Sequence, residues 1–483
     1  MVNLVSLAPV LILLPLGTAA LLTGLSGRAV LARSVAVACI CGQLLLVVVV
    51  YLGFEAPLSA FEASWLPALG TQVHLSVDGI CVHALMVLAA VLAVAIVAEI
   101  RLQPGDGSAA RLALIFVVVA AMNVFLMSRD LLVAAAAHGT AGLALAALLG
   151  VGSDLAGQSA ARRFANWAIA GTLLLSTSAA ILAAGAGSTV IDDLTRIAPG
   201  PARIAAPLLA AALAIQLPLV PLHTWLAPAA AAGTLAGRTL IFGAWCTAGA
   251  FGLLRFGLGL FPDLLSYAAP VPLLWGTATV VYAATLAIAQ GEMDLTRRLS
   301  WATVGAGGLL LAGVSGLETH PVLGAWLYAG ALALPRVGLL LLAYSITLTG
   351  ARGGSVAGVW VVLALVLAAA PGTSLFPGWL LVVASTEPVV AGLLMVASAV
   401  LAYALLAPAI RLAGEPLGPS LPVSLSRLLA AVMVVALLTG LFPGPSATRA
   451  VPDIERLLAR TARAADTATD MADPAATTEG DAP

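Results

Sequence analysis

The chain has 483 residues, of which 61% are hydrophobic and 9% charged, with a formal net charge of −1 and a mean hydropathy of +1.09. A soluble domain needs a charged exterior to stay in water, so this composition excludes a water-soluble enzyme and predicts an integral membrane protein. The near-neutral charge argues against a nucleic-acid partner and leaves the lipid bilayer as the expected one. Because lipid offers no partner to an unpaired backbone group, the fold class is predicted to be all-α.

Apolar runs long enough to cross a bilayer follow one another along almost the whole chain and predict about 13 to 14 spans. The first run, Met1 to about Gly24, is interpreted as a span and not as a signal peptide, because it is long and its start carries no Lys or Arg. The predicted spans lie near residues 4–25, 29–52, 77–99, 110–127, 130–150, 164–186, 204–222, 232–258, 268–290, 297–316, 321–348, 355–383, 388–410 and 423–443.

The last part of the chain, 444–483, changes in composition. It holds four arginines and then a stretch rich in Ala, Thr and Asp that has no aromatic residue. Such a composition cannot bury a core, so we expect one short amphipathic helix followed by a disordered end.

Basic residues fall in alternate connections between the predicted spans. By the positive-inside rule, this pattern predicts a multi-pass protein of a cell (inner) membrane whose N-terminus lies away from the cytoplasm. The connection 187–203 is the weak point, because two arginines there compete with Asp192 and Asp193. The basic residues that set the orientation are Arg28, Arg33, Arg101, Arg111, Arg162, Arg163, Arg297 and Arg298.

Nothing in the sequence indicates soluble chemistry. Cys39 and Cys41, like Cys81 and Cys246, stand in apolar stretches and lack the spacing of a metal site, so neither a metal nor a disulfide framework is expected. A Gly-rich phosphate loop and a nucleophile elbow are also missing. We therefore expect no cofactor and no catalytic residue in this chain, which would be at most one subunit of an enzyme complex.

Four motifs stand in a fixed order over about residues 70–380. The clearest is Val220–Leu226, with the sequence VPLHTWL, and it is followed by Leu253–Phe256, with the sequence LLRF. The others are Gln290–Thr303, Leu75–Ile80 and Ser128–Leu132. In this order and spacing they resemble the antiporter-like proton-translocating membrane subunits shared by respiratory complex I, Mrp antiporters, membrane-bound hydrogenases and inorganic-carbon pumps.

The resemblance implies two inverted five-helix repeats, each with a helix broken near the middle of the bilayer. Pro218 and Pro221 suit a break in the seventh span, and Pro371 and Pro377 suit one in the twelfth, since proline removes a backbone donor. The implied division is N-terminal spans over 1–110, a first repeat over 111–260, a second repeat over 261–415, a last span over 416–443 and the polar tail 444–483.

The resemblance implies that protons move in this family along buried Lys, Glu and His residues near the bilayer midplane. All 21 basic residues of this chain are Arg, and Arg cannot be deprotonated in practice, so no lysine relay can exist here. The family's fifth-span Glu falls on Gly139. Its other titratable positions fall on Gln216, Ile241, Tyr328, Leu332, Arg336 and a residue near Val382.

Five residues form the predicted ion pathway: His138, Gln216, His223, Tyr328 and Arg336. The imidazole of His138 titrates near neutrality and stands one position from the missing Glu, although a neutral His bonded to a neighbouring span is the alternative. Arg336 lies mid-span, where it either anchors water, an acidic partner or an anion, or makes a fixed structural contact. For His223 the alternative is capping of the helix break.

The functions left open come from different classes. One is a membrane subunit of a proton-coupled complex whose hetero-oligomeric partner carries the chemistry, with the membrane partner of an inorganic-carbon pump as one version. Another is a non-translocating scaffold subunit. An independent transporter of a small anion or lipid would need Arg336 to face an open cavity. Asp78 and Glu387 are expected to mark span ends.

Overall fold

The computed structural model describes residues 7–55, 57–103, 108–194, 199–260, 270–291, 293–414 and 418–472, and of residues 58–60, 69, 199 and 460–472 it describes the backbone alone. Helices form almost all of it, and ten of them are long and apolar enough to cross a membrane. The chain is therefore a polytopic α-helical membrane protein, as its composition predicts.

The N-terminal part contains three helices and a β-hairpin that was not predicted from the sequence. The antiparallel hairpin lies between the second and third helices, in the stretch between the predicted spans 29–52 and 77–99. In chain order the elements are α1 (Val10–Thr23), α2 (Ala29–Leu52), β1 (Leu58–Leu66), β2 (Thr71–Val77) and α3 (Gly79–Arg101).

The first repeat follows α3, and one of its helices is interrupted. Two short helices, α7 and α8, are separated by a turn over 217–225, and one turn of helix, Ile191–Leu194, precedes them. The helices are α4 (Ser108–Met127), α5 (Leu131–Gly150), α6 (Leu155–Ala186), α7 (Pro199–Gln216), α8 (Leu226–Ala231) and α9 (Leu235–Leu260).

The second repeat has the same pattern, with an interruption over 368–375. Adding α1, the unbroken α11 and the two interrupted helices to the ten long ones gives fourteen crossings within the described residues. The remaining helices are α10 (Pro270–Ile288), α11 (Leu295–Val314), α12 (Thr319–Thr349), α13 (Gly354–Leu367), α14 (Phe376–Ala384), α15 (Pro388–Gly414), α16 (Val423–Leu441) and α17 (Gly444–Ala472).

The two predicted helix breaks are confirmed. Pro218 and Pro221 lie in the turn after α7, Pro371 lies in the second turn, and Pro377 stands in the first turn of α14. A proline at these places lacks a donor and cannot continue the preceding helix. Each break leaves free backbone groups inside the bilayer region, which is tolerated only where protein or water surrounds them.

Helix α9 is the centre of the fold. It is buried along its whole membrane window, and it contacts α3, α4, α7 and α12. Two π-helical turns, Ile241–Trp245 and Leu253–Gly257, interrupt its regular hydrogen bonding. Such π turns in an α-helix occur frequently at functional sites.

The tail forms one helix, as predicted, but this helix is longer than expected. α17 extends over 29 residues and packs on α3 and α12, with Ala450 and Ile454 fully buried. An apolar stripe on its first turns explains the packing, because a helix at a membrane surface buries its apolar face. The predicted disordered end, 473–483, lies outside the described residues.

Spans that alternate in direction place every second connection on one face. Arg28, Arg101, Arg162 and Arg297 therefore share the face opposite the β-hairpin, while α17 lies on the hairpin face. The grouping on one face follows from the helix order, and the assignment of that face to the cytoplasm stays a prediction.

Candidate functional site: a polar axis across the buried helices

His138 lies in the middle of α5 and is 1% exposed. Its Nδ1 is 2.9 Å from the hydroxyl of Thr172 on α6, and that hydroxyl donates to the carbonyl of Ala168. Because the Thr172 proton is already used, Nδ1 is the donor to this hydroxyl and Nε2 carries the free lone pair. Nε2 is buried and has no hydrogen-bond partner among the described residues.

Gln216 is the last residue of α7 and is fully buried at the start of the first helix break. Neither its amide oxygen nor its amide nitrogen has a hydrogen-bond partner among the described residues. Across from it stands Gly249 of α9, where a Cβ would lie 3.0 Å from Cγ of Gln216. The glycine therefore permits the close approach of α9 to the end of α7.

Arg336 on α12 is 4% exposed and lies one turn after Leu332 and two turns after Tyr328. Its guanidinium donates to the carbonyl of Leu332 at 3.2 Å and to the hydroxyl of Thr247 on α9 at 3.4 Å. No carboxylate forms an ion pair with it in the part of the chain that the structure describes. A buried cation with only neutral acceptors is uncommon, because charge inside a membrane is costly unless it is paired or hydrated.

Helix α9 brings three of the five predicted residues together. The ring of Trp245 lies 4.6 Å from that of His138, Thr247 binds Arg336, and Gly249 contacts Gln216. These contact residues alternate along a single stretch, 245–249, which begins at the last residue of the first π turn. We call His138, Gln216, Arg336 and this stretch the polar axis.

Among the described residues, no hydrogen bond or ring contact joins His223 or Tyr328 to the stretch 245–249 of α9. His223 stands in the first helix break against Trp301, with ring centroids 5.1 Å apart, and its Nδ1 is buried without a described partner. The N-terminus of α8 has no side-chain cap, but the backbone carbonyl of His223 accepts from the N–H of Leu226 at 3.0 Å. Tyr328 borders a cavity of about 30 Å³ together with Trp379 and Ser398, which is room for water.

Several contact residues of this site were not predicted. Thr172 and Thr247 hold His138 and Arg336, yet threonine in an apolar run gives no functional signal in the sequence. His83 of α3 also escaped notice, and its ring lies 4.9 Å from that of Trp326. The sequence did offer a signal for His83, because a histidine inside a predicted span is a candidate functional residue.

A second buried polar region lies at the hairpin face, and there the charges are paired. Arg255 of α9 donates to the carboxylate of Asp78, and Arg129 lies 3.8 Å from the same oxygen. Asp78 also accepts from the backbone N–H of Cys81, so it caps α3 and marks the span end as predicted. The helix α17 joins this region, since Asp453 accepts from the N–H of Gly79 at 2.6 Å.

The two carboxylates of this cluster titrate differently. Burial raises the pKa of Asp78, but the guanidiniums of Arg255 and Arg129 outweigh it and hold the pKa below its ordinary value. Burial and the neighbouring charge of Asp78 raise the pKa of Asp453, against the opposing effects of the Gly79 N–H and Arg456. Asp78 is therefore a fixed anion at neutral pH.

The face opposite the hairpin holds another paired charge. Glu99, at the end of α3, is fully buried and accepts from Nε of Arg111 at 2.7 Å. Nearby, Gln103 accepts from the backbone N–H of Leu235 at the start of α9. In the described residues no three His, Cys, Asp or Glu side chains converge as metal ligands. The polar axis thus lies between the cluster around Asp78 at the hairpin face and the Glu99–Arg111 pair at the opposite face.

A membrane subunit with two interrupted helices and a buried polar axis between them is the class of protein that this fold and site define. The family described as NADH:quinone oxidoreductase/Mrp antiporter, TM, matches residues 128–405, more than half of the chain. The chain belongs to this family.

Comparisons with individual proteins agree. NAD(P)H-quinone oxidoreductase chain 4 of Trichormus variabilis is 27% identical over 268 residues, which cover 54% of this chain and 49% of that protein. NADH-quinone oxidoreductase subunit M of Mycobacterium tuberculosis is 32% identical over 187 residues, covering 36% of this chain and 34% of that one. The chain thus spans about half the length, or less, of these curated relatives.

A chain of respiratory complex I from Thermus thermophilus has the same fold. The TM-score is 0.83 at 23% sequence identity, and the superposition covers 95% of this chain and 99% of that one. At this identity the likeness shows the fold alone.

Proposed function

We propose that this protein is an antiporter-like membrane subunit of a multisubunit, proton-coupled complex, and that its own share of proton movement is a short hydrated path through the first repeat. Membership of the family supports the first part. Multisubunit membrane complexes such as the Mrp complex from Dietzia contain chains of this fold, with a TM-score of 0.79 at 20% identity over 96% of this chain and 56% of that one. The catalytic chemistry belongs to a partner subunit.

One observation carries the second part of the proposal: buried polar atoms without partners lie along the first repeat. Nε2 of His138, the amide of Gln216 and Nδ1 of His223 are such atoms. Leaving a buried donor or acceptor unpaired costs about 1–3 kcal/mol each, so ordered water is the natural partner of such atoms. Water between a neutral imidazole and a polar amide is a medium through which protons move.

Arg336 limits this path. A guanidinium stays charged at every physiological pH, so it cannot relay a proton as the family's lysine would. Its fixed positive charge beside α9 repels a proton that arrives from the first repeat, as arginines do in selective pores. The path is therefore interrupted between the repeats, and transfer along the whole axis is weak.

The first test identifies the complex. The tagged full-length chain is purified in mild detergent and the proteins that accompany it are identified by mass spectrometry. A reproducible soluble or membrane partner with redox or carbon-hydrating chemistry is expected, and an inorganic-carbon enzyme would select the carbon-pump version. Recovery of the chain alone, as a stable monomer or homo-oligomer, would contradict the proposal.

The second test measures proton flux by the purified complex in liposomes. His138→Ala is expected to lower the flux several-fold, because the free Nε2 is lost, while His320→Ala serves as the control at an exposed histidine. Equal flux in both variants, with normal assembly, would exclude the hydrated path. The chain would then be the non-translocating scaffold that the missing lysines also allow.

A further inference from the structure

A large apolar groove opens on the membrane-facing side between the two repeats. It has a volume of about 360 Å³ and is lined by parts of α7, α9, α10 and α11. Small residues of α7, Ala206, Ala210 and Ala211, leave the space open. This volume falls within the range of about 300–1,000 Å³ that is usual for small-ligand sites.

The groove lies in one leaflet of the bilayer. All four helices contribute residues from the turns closest to the hairpin face, such as Gly257 near the end of α9 and Val271 at the start of α10. From Arg203 to Leu213 on α7 the helix rises about 15 Å, which is half of the hydrocarbon thickness of about 30 Å. The lining itself runs from Ala206 to Leu213, about 10 Å, and Arg203 lies about 5 Å beyond it, so the groove and the arginine together match the depth of one acyl chain.

Its lining excludes a polar occupant. The one hydroxyl there, that of Ser315, already donates to the carbonyl of Ala312. The indole N–H of Trp275 also points to a protein acceptor, the carbonyl of Val220, at 2.6 Å. These two side chains therefore offer no free hydrogen-bond donor, and the oxygen of one buried serine is the only acceptor they leave, so an apolar chain is the fitting occupant.

A basic residue stands at the head of the groove. Arg203 is exposed and lies on the same stripe of α7 as Ala206, Pro207 and Ala210, at the spacing i, i+3, i+4 and i+7. It forms no ion pair within the described part of the chain. The carboxylates of the neighbouring turn are engaged, since Asp192 lies 3.8 Å from Arg129 and Asp193 accepts from Ser188.

From these observations we infer that the groove is a binding site for an anionic glycerophospholipid. One acyl chain fills the groove beside Trp275, and the phosphate lies at the guanidinium of Arg203. Since Trp275 also holds the carbonyl of Val220 in the first helix break, the bound lipid stabilises the wall that supports this break. The inference does not depend on proton movement by the chain.

Native mass spectrometry of the delipidated full-length protein tests the site. The protein is titrated with phosphatidylglycerol and with phosphatidylcholine of the same acyl chains. One phosphatidylglycerol is expected to bind about fivefold more tightly than phosphatidylcholine, the preference that one arginine gives at a membrane surface. Arg203→Gln removes this preference, whereas Arg427→Gln, at an exposed arginine on α16, keeps it.

Ala210→Trp fills the groove from its exposed side and is expected to weaken the binding of both lipids at least tenfold. Because Ala210 faces outward, the variant should elute from size exclusion like the wild type. Equal affinity for the two lipids in the wild type, or an unchanged preference in Arg203→Gln, would overturn the proposal. So would an isoprenoid quinone that copurifies, is lost in Ala210→Trp and is not displaced by phosphatidylglycerol.

Discussion

The protein buries polar groups in two regions that follow opposite rules. At the hairpin face, Asp78 meets Arg255 and Arg129, and each charge has a partner. In the polar axis, Arg336 has only neutral acceptors, and both amide atoms of Gln216 lack described partners. The comparison teaches that a paired charge is a structural contact, whereas the unpaired groups of the polar axis are those that the proposed water would satisfy.

The largest effect is expected for Asp78→Ala. Removing this carboxylate leaves Arg255 without its anion and leaves Arg129 only the more exposed Asp192, and breaking a buried ion pair from one side costs about 3–5 kcal/mol. Thermal unfolding in mild detergent measures the loss. The exposed pair Asp294–Arg297 provides the control, since Asp294→Ala loses a helix cap and a surface pair worth about 1–2 kcal/mol in total. Equal losses would mean that the two regions do not differ.

Arg336→Met is expected to leave stability unchanged or raise it by up to about 3 kcal/mol, because no carboxylate is left behind when the charge goes. Arg255→Met, the matched change in the paired region, is expected to destabilise by about 3 kcal/mol, since Asp78 loses its closest partner. Melting curves of both variants show whether each substitution raises or lowers the stability. A large loss of stability in Arg336→Met would indicate that Arg336 has an anionic partner and is a structural contact like Arg255.

Gln216→Leu tests whether water occupies the polar axis. If water already satisfies the amide, the change in the free energy of unfolding stays within about 1 kcal/mol, while proton flux by the complex falls. Asn123→Leu is the comparison, because its amide donates to the carbonyl of Leu11 at 2.7 Å and the variant loses that bond, at a cost of about 0.5–1.5 kcal/mol, while Gln43 still donates to the same carbonyl at 3.3 Å. A gain of several kcal/mol in Gln216→Leu would show a dry site.

The smallest effect concerns Asp453 and pH. Its pKa is raised in the folded state above the model-compound value of 3.8, through burial and the charge of Asp78. The folded state therefore holds the proton more tightly, and the docking of α17 weakens as pH rises from about 3.8 through the raised pKa. Its other charged neighbours, Arg129 and Arg456, stay charged throughout. Asp78, with a lowered pKa, loses its contribution only below this window.

Hydrogen exchange of the α17 backbone amides across this pH range measures the effect. Asp453→Asn removes the titration and is expected to change protection by less than about 1 kcal/mol. The difference between wild type and variant cancels the intrinsic pH dependence of exchange. An identical pH profile in both proteins would exclude Asp453 as the responsible group.

Much of the architecture is readable from the sequence, because hydropathy dictates the spans. The prolines at 218, 221, 371 and 377 predicted both breaks correctly, since a missing donor acts locally. The β-hairpin escaped prediction because its short alternating strands looked like a polar loop. The length of α17 was also missed, since its helix depends on packing against α3 and α12, which are distant in sequence.

The candidate site was only partly predictable. The five residues were found because polar side chains are rare in these spans, and three of them meet at α9. Their partners stayed hidden, since Thr172 lies 34 residues from His138 and Thr247 lies 89 residues from Arg336. Whether Arg255 or Arg336 has an anionic partner is likewise a property of the packing and not of the local sequence.

The contact between Asp453 and Gly79 joins residues 374 positions apart. A ribosome that feeds this chain into the membrane therefore releases α3 with its N-terminus uncovered and supplies the covering helix only after α4 to α16 have followed. Until then, the first turn of α3 lacks the acceptor that Asp453 provides. A chain cut short before α17 would leave this N-terminus without its partner.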